Sequence, residues 1–220
     1  MAKTDTPLEF IGSSQDDLSA FPVEVKQCIG FALRAAQKGG KHPDAKPLKG
    51  FKGAGVLEII SDFDDDSFRA VYTVRMKGVL YVLHAFQKKS KSGIKTPLPE
   101  IEKTQKQLTR REKMKNIKVT KSSGNVFADL GLPNADEHLV KAEIVLGIAD
   151  RVKTRSLTQA QVAKLIGLAQ PDVSKLLRGN FAGYSFERLF GFLRALGNDV
   201  EIKVTATKKQ KEGHLHLEMV

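Results

Sequence analysis

The sequence predicts an α+β protein in two parts: a small N-terminal domain with helices packed on an antiparallel sheet, then a mainly helical domain. Segments 56–60, 68–75 and 79–86 have the β-branched and aromatic composition of strands and are separated by short polar turns. Segment 157–179 has the apolar spacing of two short helices. A length of 220 residues also favours two small domains over one.

The N-terminal domain is predicted over residues 1–113. A short strand around Leu8 is followed by a helix over 15–20 and by a longer helix that opens at Pro22 and ends at the glycines 39–40. A loop rich in Gly, Pro and Lys spans 41–55 and leads into the three strands, which form a meander. A charged helix over 100–113 closes the domain.

The C-terminal domain is predicted over residues 114–220. Apolar residues between 126 and 132 form a short docking segment, and a helix starts near Asp136. Ser185 caps a further helix that Gly197 stops. Alternating apolar residues at 200–204 and 215–219 predict two short C-terminal strands, whose edges could pair with another copy.

The segment 157–179 has the local signals of a helix-turn-helix. Thr158 and Gln161 form a capping box at the start of the first helix, and Gly167 ends it. Pro171 suits the first turn of the second helix. The outward positions of that helix are short or flexible polar groups, as on a helix that enters the major groove: Gln170, Asp172, Ser174 and Lys175. The alternative is an ordinary helical hairpin.

The composition favours a polyanionic partner. The chain has 36 basic and 25 acidic residues, a net charge of +11. Residues 1–113 carry 20 Lys and Arg against 14 Asp and Glu, and residues 114–220 carry 16 against 11, so both halves could face nucleic acid. A single cysteine, Cys28, indicates a reducing compartment. No apolar run suits a membrane span or a signal peptide, so we expect a cytoplasmic protein with no membrane partner.

The N-terminal domain offers cations rather than a metal or cofactor site. The five histidines are scattered, and the GFKGAG stretch lacks the Lys-Ser/Thr of a phosphate-binding loop, so we expect neither a metal nor a cofactor. If the cations around the meander converge at one sheet edge, they form a cleft that binds RNA and stabilises a charged transition state. These cations are Arg69, Lys88, Lys89 and Lys91, with Lys46, Lys49 and Lys52 in the preceding loop. Solvated lysines and an arginine paired with the turn aspartates are the alternative.

Three sequence segments of the N-terminal domain resemble the phage-derived branch of the RelE and HigB toxin superfamily. They are KPLKGFKGAGVLEI, FRAVYTV and VLHAFQKKSKSGIKTP. The resemblance implies an endoribonuclease that cuts messenger RNA on the ribosome, with Arg69 as a functional residue, Lys88 and Lys89 as the matching basic pair, and His84 as a proton-transfer or positioning group. A core or edge histidine is the alternative for His84. The segment SGIKTP has no tyrosine or histidine, so the general base stays open.

The helix-turn-helix segment resembles the phage-repressor family, most closely antitoxins of the HigA type. The resemblance implies base contacts by Gln170, Ser174 and Lys175 and phosphate contacts by Gln159, Arg178 and Asn180. We therefore expect a toxin joined to an antitoxin that neutralises it, binds operator DNA to repress its own operon, and dimerises through the C-terminal region. The alternatives are a transcriptional regulator whose first domain only senses or oligomerises, and a decayed toxin that serves as a scaffold.

Overall fold

The computed structural model describes residues 5–51, 55–74, 76, 78–88, 95–113, 117–206 and 213–219. The chain divides into two compact units, residues 1–133 and 134–220. The first unit combines a sheet with helices and the second is helical, so the predicted α+β class is confirmed. Within the described residues, no helix has the length and apolar character that a membrane span requires.

Six strands among the described residues of the first unit form a mixed sheet. Its strands are β1 (Leu8–Ile11), β2 (Lys46–Pro47), β3 (Val56–Phe63), β4 (Asp66–Thr73), β5 (Leu80–Lys88) and β6 (Val119–Lys121). Its helices are α1 (Ser14–Ser19), α2 (Val23–Gln37), α3 (Leu98–Glu112) and α4 (Val126–Asp129). The strand order is β2-β3-β4-β5-β1-β6, with β1 parallel to β5 and the other pairs antiparallel.

The predicted meander is confirmed as β3, β4 and β5. A tight turn joins β3 to β4 through Asp64 and Asp65, which both have positive φ (46° and 64°), a conformation that Asp tolerates better than most residues. The central strand β4 is almost entirely buried, because both faces of the sheet are covered. The pairing of β4 with β5 shifts register between Val71 and Tyr72. This β-bulge changes the direction of the side chains next to His84.

Different helices cover the two faces of this sheet. On one face, the Phe68 ring packs edge-on against Phe21, with centroids 5.0 Å apart, and the Cys28 thiol of α2 hydrogen-bonds to Ser61. Burial raises the pKa of that thiol. On the other face, α3 packs through Leu108 onto a core whose members are Ile11, Leu48, Phe51, Val56, Val71, Tyr81 and Leu83.

Residues 117–133 belong to the first compact unit, although the predicted domain boundary lies at 113/114. The strand β6 pairs with β1, and α4 packs against α2, so both elements are joined to the first unit. The predicted docking segment is confirmed, since Val126, Phe127, Leu130 and Leu132 are all buried. The compact units therefore separate at Pro133, after the docking segment rather than before it.

The described residues of the second unit form four helices: α5 (Ala135–Thr154), α6 (Gln159–Ile166), α7 (Gln170–Leu177) and α8 (Phe186–Ala195). Ser185 caps α8 as predicted, because its side chain accepts a hydrogen bond from the Arg188 amide. The predicted C-terminal strands are not found in the described segments 198–206 and 213–219. Alternation made these residues suitable for strands, but a strand needs a hydrogen-bonded neighbour, and the second unit has no described strand to pair with.

Candidate functional sites

The structure buries the arginine that the sequence placed in an open cationic cleft. The Arg69 side chain is 3% exposed, and its Nη1 donates to Glu58 Oε1 at 3.1 Å and to Thr96 Oγ1 at 2.9 Å. Thr96 in turn donates to Glu58 Oε1 at 2.6 Å. Arg69 is therefore not an open cation of a cleft, because its side chain is buried against Glu58 on the neighbouring strand.

The predicted cluster of lysines is only partly brought together. Lys88 pairs with Ser67 in the sheet and lies two residue pairs beyond Arg69, on the same face, because Arg69 pairs with Phe86. Lys46 pairs with Glu58 on the edge strand β2, three inter-strand spacings from β5, or about 14 Å. Lys46 and Lys49 are exposed there and do not converge with Lys88. Lys52, Lys89 and Lys91 lie outside the described residues.

His84 forms a close pair with a carboxylate that the sequence analysis did not single out. The His84 side chain is 11% exposed, and its Nε2 lies 2.5 Å from Glu100 Oε2, near the start of α3. The ring also stacks on Phe86, two residues along β5, with centroids 5.2 Å apart. Since the pair spans a strand and a helix 16 residues apart, only the packing of α3 on the sheet creates it.

The protonation of Glu100 determines which histidine nitrogen is free to accept a proton. Burial raises the pKa of the Glu100 carboxyl, but hydrogen bonds from His84 and Lys103 outweigh it, so the pKa is lowered overall. An ionised carboxylate only accepts hydrogen bonds, so Nε2 of His84 must carry the proton that Glu100 accepts. In the neutral ring, Nδ1 is then the atom that can accept a proton.

A cavity of about 390 Å³ opens beside this pair. It is lined by α1, β5 and α3, with Ser13, Asp17, His84, Ala85, Phe86, Glu100, Lys103, Lys106, Gln107 and Arg110 around it. Lys103, Lys106 and Arg110 are exposed and recur at the 3.6-residue period, so they form one basic face of α3. The sequence predicts a charged helix here, and the spacing of its cations could also have indicated this basic face.

The arrangement combines a proton acceptor with positive charge. His84 is held by Glu100 in one orientation, and the three cations of α3 exceed in number the two carboxylates of the cavity, Asp17 and Glu100. Phe86 is partly exposed and offers an aromatic face on which a base could stack. Within the described parts of the chain, no three His, Cys, Asp or Glu side chains are grouped as metal ligands would be.

The second unit holds the predicted helix-turn-helix. Both halves of the capping box are present: the Thr158 side chain accepts from the Gln161 amide, and the Gln161 side chain accepts from the Thr158 amide. Gly167 ends α6 with φ +69° and ψ 36°, a left-handed conformation that glycine adopts without strain. Val162 and Ile166 of α6 and Val173 and Leu176 of α7 are buried in the core.

The residues expected at DNA lie on the outer side of this motif. Gln159, Gln170, Lys175, Arg178 and Asn180 are exposed, and Asp172 and Ser174 are half-buried. Lys175 Nζ lies 3.8 Å from Asp172 Oδ1, so the aspartate partly offsets the positive charge of the recognition face. These positions are therefore accessible to a ligand, and their individual DNA contacts remain predictions.

Comparisons with known proteins match the two halves separately. Residues 16–109 match a family described as "Phage derived protein Gp49-like", and residues 126–205 match one described as "Helix-turn-helix domain". Among solved structures, a chain described as an XRE family transcriptional regulator is 29% identical. That match covers 40% of this chain and 100% of the other, with a TM-score of 0.37. Among curated proteins, none matches this chain significantly.

Proposed function

We propose, from a Gp49-like domain followed by a helix-turn-helix domain in one chain, that this protein is a toxin-antitoxin pair in a single polypeptide. The N-terminal half, with its functional boundary at 113/114, is a metal-independent endoribonuclease that cuts messenger RNA on the ribosome. The C-terminal half neutralises it, binds operator DNA and represses its own operon. Such a protein acts in the cytoplasm.

The observation that carries the nuclease proposal is the His84–Glu100 pair beside the basic face of α3. Cleavage by the ribose 2′-OH needs a base, an acid and a positive charge near the phosphate. His84 Nδ1 takes the proton of the 2′-OH while Glu100 holds the ring through Nε2. Lys103, Lys106 and Arg110 stabilise the phosphorane-like transition state, and one of the two lysines protonates the leaving 5′-oxygen. In this mechanism the RNA-contacting cations lie on α3.

The nuclease proposal is tested by expressing residues 1–133, the first compact unit, with and without residues 134–220. The unit should stop growth and cleave translated RNA, and the full chain should not. His84→Gln keeps a donor for Glu100 but cannot transfer a proton, so cleavage should fall by about 10²–10⁴-fold.

A matched pair of lysine substitutions controls for the loss of charge. Lys106→Ala should weaken cleavage, whereas Lys41→Ala removes the same charge from an exposed loop position outside the cavity and should not. A harmless unit 1–133 that accumulates to the level of the full chain and leaves translated RNA intact would refute the nuclease proposal.

The DNA-binding proposal rests on the exposed polar face of α7. Gln170, Ser174 and Lys175 contact bases, and Gln159, Arg178 and Asn180 contact phosphates, so the affinity should fall steeply with salt. Helix-turn-helix proteins commonly bind two half-sites as dimers, and we assign that contact to the C-terminal region. Ile202 and Val204 are 70% and 90% exposed there and offer an apolar surface. A monomer at micromolar concentration would contradict this assignment.

A second candidate function is a transcriptional regulator whose N-terminal domain is catalytically inactive. The observation that favours it is the burial of Arg69, since a guanidinium already paired with Glu58 is poorly placed to bind RNA. This candidate predicts salt-dependent operator binding by the full chain and no RNA cleavage by residues 1–133 under any condition. The expression experiment above therefore distinguishes the two functions directly.

A further inference from the structure

The segment 117–133 belongs to the first half of the chain by its structure, whereas its second part matches the C-terminal half by sequence. The family match to a helix-turn-helix domain begins at residue 126, so α4 belongs in sequence to the C-terminal half. In the structure, however, α4 and the strand β6 before it are part of the compact unit formed by residues 1–133. The match to the Gp49-like family ends at residue 109, before this segment starts. We call residues 117–133 the arm.

The first contact of the arm extends the sheet. Its strand β6 runs antiparallel to β1, with Thr120 opposite Phe10. The Gly12 amide donates to the Lys118 carbonyl at 2.8 Å, and the Ser122 amide donates to the Leu8 carbonyl at 3.0 Å. Without the arm, β1 would be an edge strand with unpaired backbone groups, which is the kind of surface that captures an extended segment.

The second contact fills a groove on α2. Val126, Phe127 and Leu130 are fully buried although they lie in a four-residue helix and the turn after it. Phe127 sits directly over Gly30 of α2: a Cβ at position 30 would lie 2.8 Å from its ring. The Phe127 ring therefore occupies the space that Gly30 leaves by having no side chain, and any larger residue at position 30 would displace the ring.

Polar contacts set the register of the arm between these two anchors. The Asn125 side chain caps α4 by accepting from the Phe127 and Ala128 amides. Asp129 accepts from Ser122 and, at 2.9 Å, from the Ser123 amide, which folds the arm back on itself. The Gln15 side chain of α1 donates to the Asp129 carbonyl at 2.9 Å. The arm thus has an internal shape of its own and a defined position on the domain.

We propose that the arm is a separable docking element, and that the β1 edge with the Gly30 groove is the receptor surface that binds it. The partner that fits this surface is a helix-turn-helix polypeptide that carries the arm at its N-terminal side. The arm binds there even when the chain is cut between the domain and the arm, at residues 114–116. This inference deepens the proposed function and rests on its division into toxin and antitoxin halves. None of residues 117–133, all of which are described, lines the His84 cavity, so the arm fastens the partner without filling that cavity.

The test uses the full chain with a protease recognition site inserted between Lys113 and Ile117. After cutting, the two pieces should remain together in gel filtration at micromolar concentration. A synthetic peptide of residues 117–133 in excess should release the C-terminal piece, and the N-terminal piece bound to the peptide should keep its circular dichroism spectrum. Phe127→Ala should weaken retention by at least about a hundredfold, because truncating a fully buried phenylalanine removes its whole contact.

The matched control is Val23→Ala, which trims a residue of α2 that is 44% exposed. It should leave the retention of the pieces unchanged. Because Phe127→Ala lies in the C-terminal piece, the receptor piece is identical in the wild-type and variant experiments. Gly30→Leu tests the receptor side independently and should release the C-terminal piece in the same way.

Four outcomes would overturn the inference. They are separation of the wild-type pieces on cutting, equal retention of the Phe127→Ala and Val23→Ala pieces, failure of the peptide to compete, and unfolding of the N-terminal piece during exchange. The last would make the arm an integral part of the domain core. RNA cleavage is not a readout of this experiment, so a failed nuclease proposal and a failed docking proposal are distinguished.

Discussion

Substitution of Arg69 should destabilise the first unit rather than only disable a site. The Arg69 and Glu58 side chains are 3% and 9% exposed, and one guanidinium nitrogen contacts both carboxylate oxygens, at 3.1 and 3.2 Å. Arg69→Met removes the cation and leaves the Glu58 charge in a buried position. Removing one partner of a buried pair costs about 3–5 kcal/mol, because the remaining charge is uncompensated.

The double substitution Glu58→Leu/Arg69→Met tests this reason. Replacing both charges by apolar side chains removes the desolvation cost together with the attraction, so the double variant should regain most or all of the lost stability. The two single variants and the double variant form a thermodynamic cycle, which isolates the interaction of the pair from the effects of each side chain.

Urea unfolding followed by tyrosine fluorescence measures these changes, since Tyr72 and Tyr81 of the chain's three tyrosines lie in the first unit. With a urea dependence of about 1–3 kcal/mol per molar, a loss of 3–5 kcal/mol lowers the midpoint by roughly 2 M. An Arg69→Met variant that unfolds at the wild-type urea concentration would refute the reasoning. So would a double variant as unstable as the single one. If the cycle holds, loss of RNA cleavage in Arg69→Ala identifies no catalytic role by itself.

Three further predictions concern Glu100, Gly167 and the outer face of α7. Because folding lowers the pKa of Glu100 from its ordinary value of 4.5, the ionised carboxylate stabilises the folded unit at pH values above 4.5. This stability is lost as the pH falls below 4.5 through the folded pKa, so Glu100→Gln should reduce the loss of stability in acid that pH-dependent unfolding measures. Gly167→Ala should cost about 1 kcal/mol in thermal unfolding, because φ is +69° and no atom lies within 4 Å of the added Cβ; an unchanged melting temperature would contradict this. In gel-shift titrations, Arg178→Ala should weaken binding to all sequences alike and reduce the salt slope by about one. Gln170→Ala should change base preference, and a Gln170 variant with wild-type preference would exclude direct readout by that residue.

The sequence by itself determined the features that depend on near neighbours. The capping box joins Thr158 to Gln161, three residues apart, and Gly167 ends its helix through its own backbone conformation. The β-branched and aromatic composition of segments 56–60, 68–75 and 79–86, with short polar turns between them, likewise indicated the three strands of the meander. The α+β class and the division into a sheet-containing part and a helical part follow from these local signals.

The tertiary structure alone decided which distant residues meet. Arg69 pairs with Glu58 across two strands, and His84 pairs with Glu100 through the packing of a helix on a sheet. The sequence shows that Arg69 is charged but not that Glu58 is its partner, so a buried and paired arginine could not be distinguished from an accessible one. The same holds for the arm. Its apolar residues predicted a docking segment, but where the segment docks is determined by its backbone pairing with β1 and by the space that Gly30 leaves for Phe127. Local periodicity specifies which face of an element is apolar, whereas the partner of that face depends on the path of the whole chain.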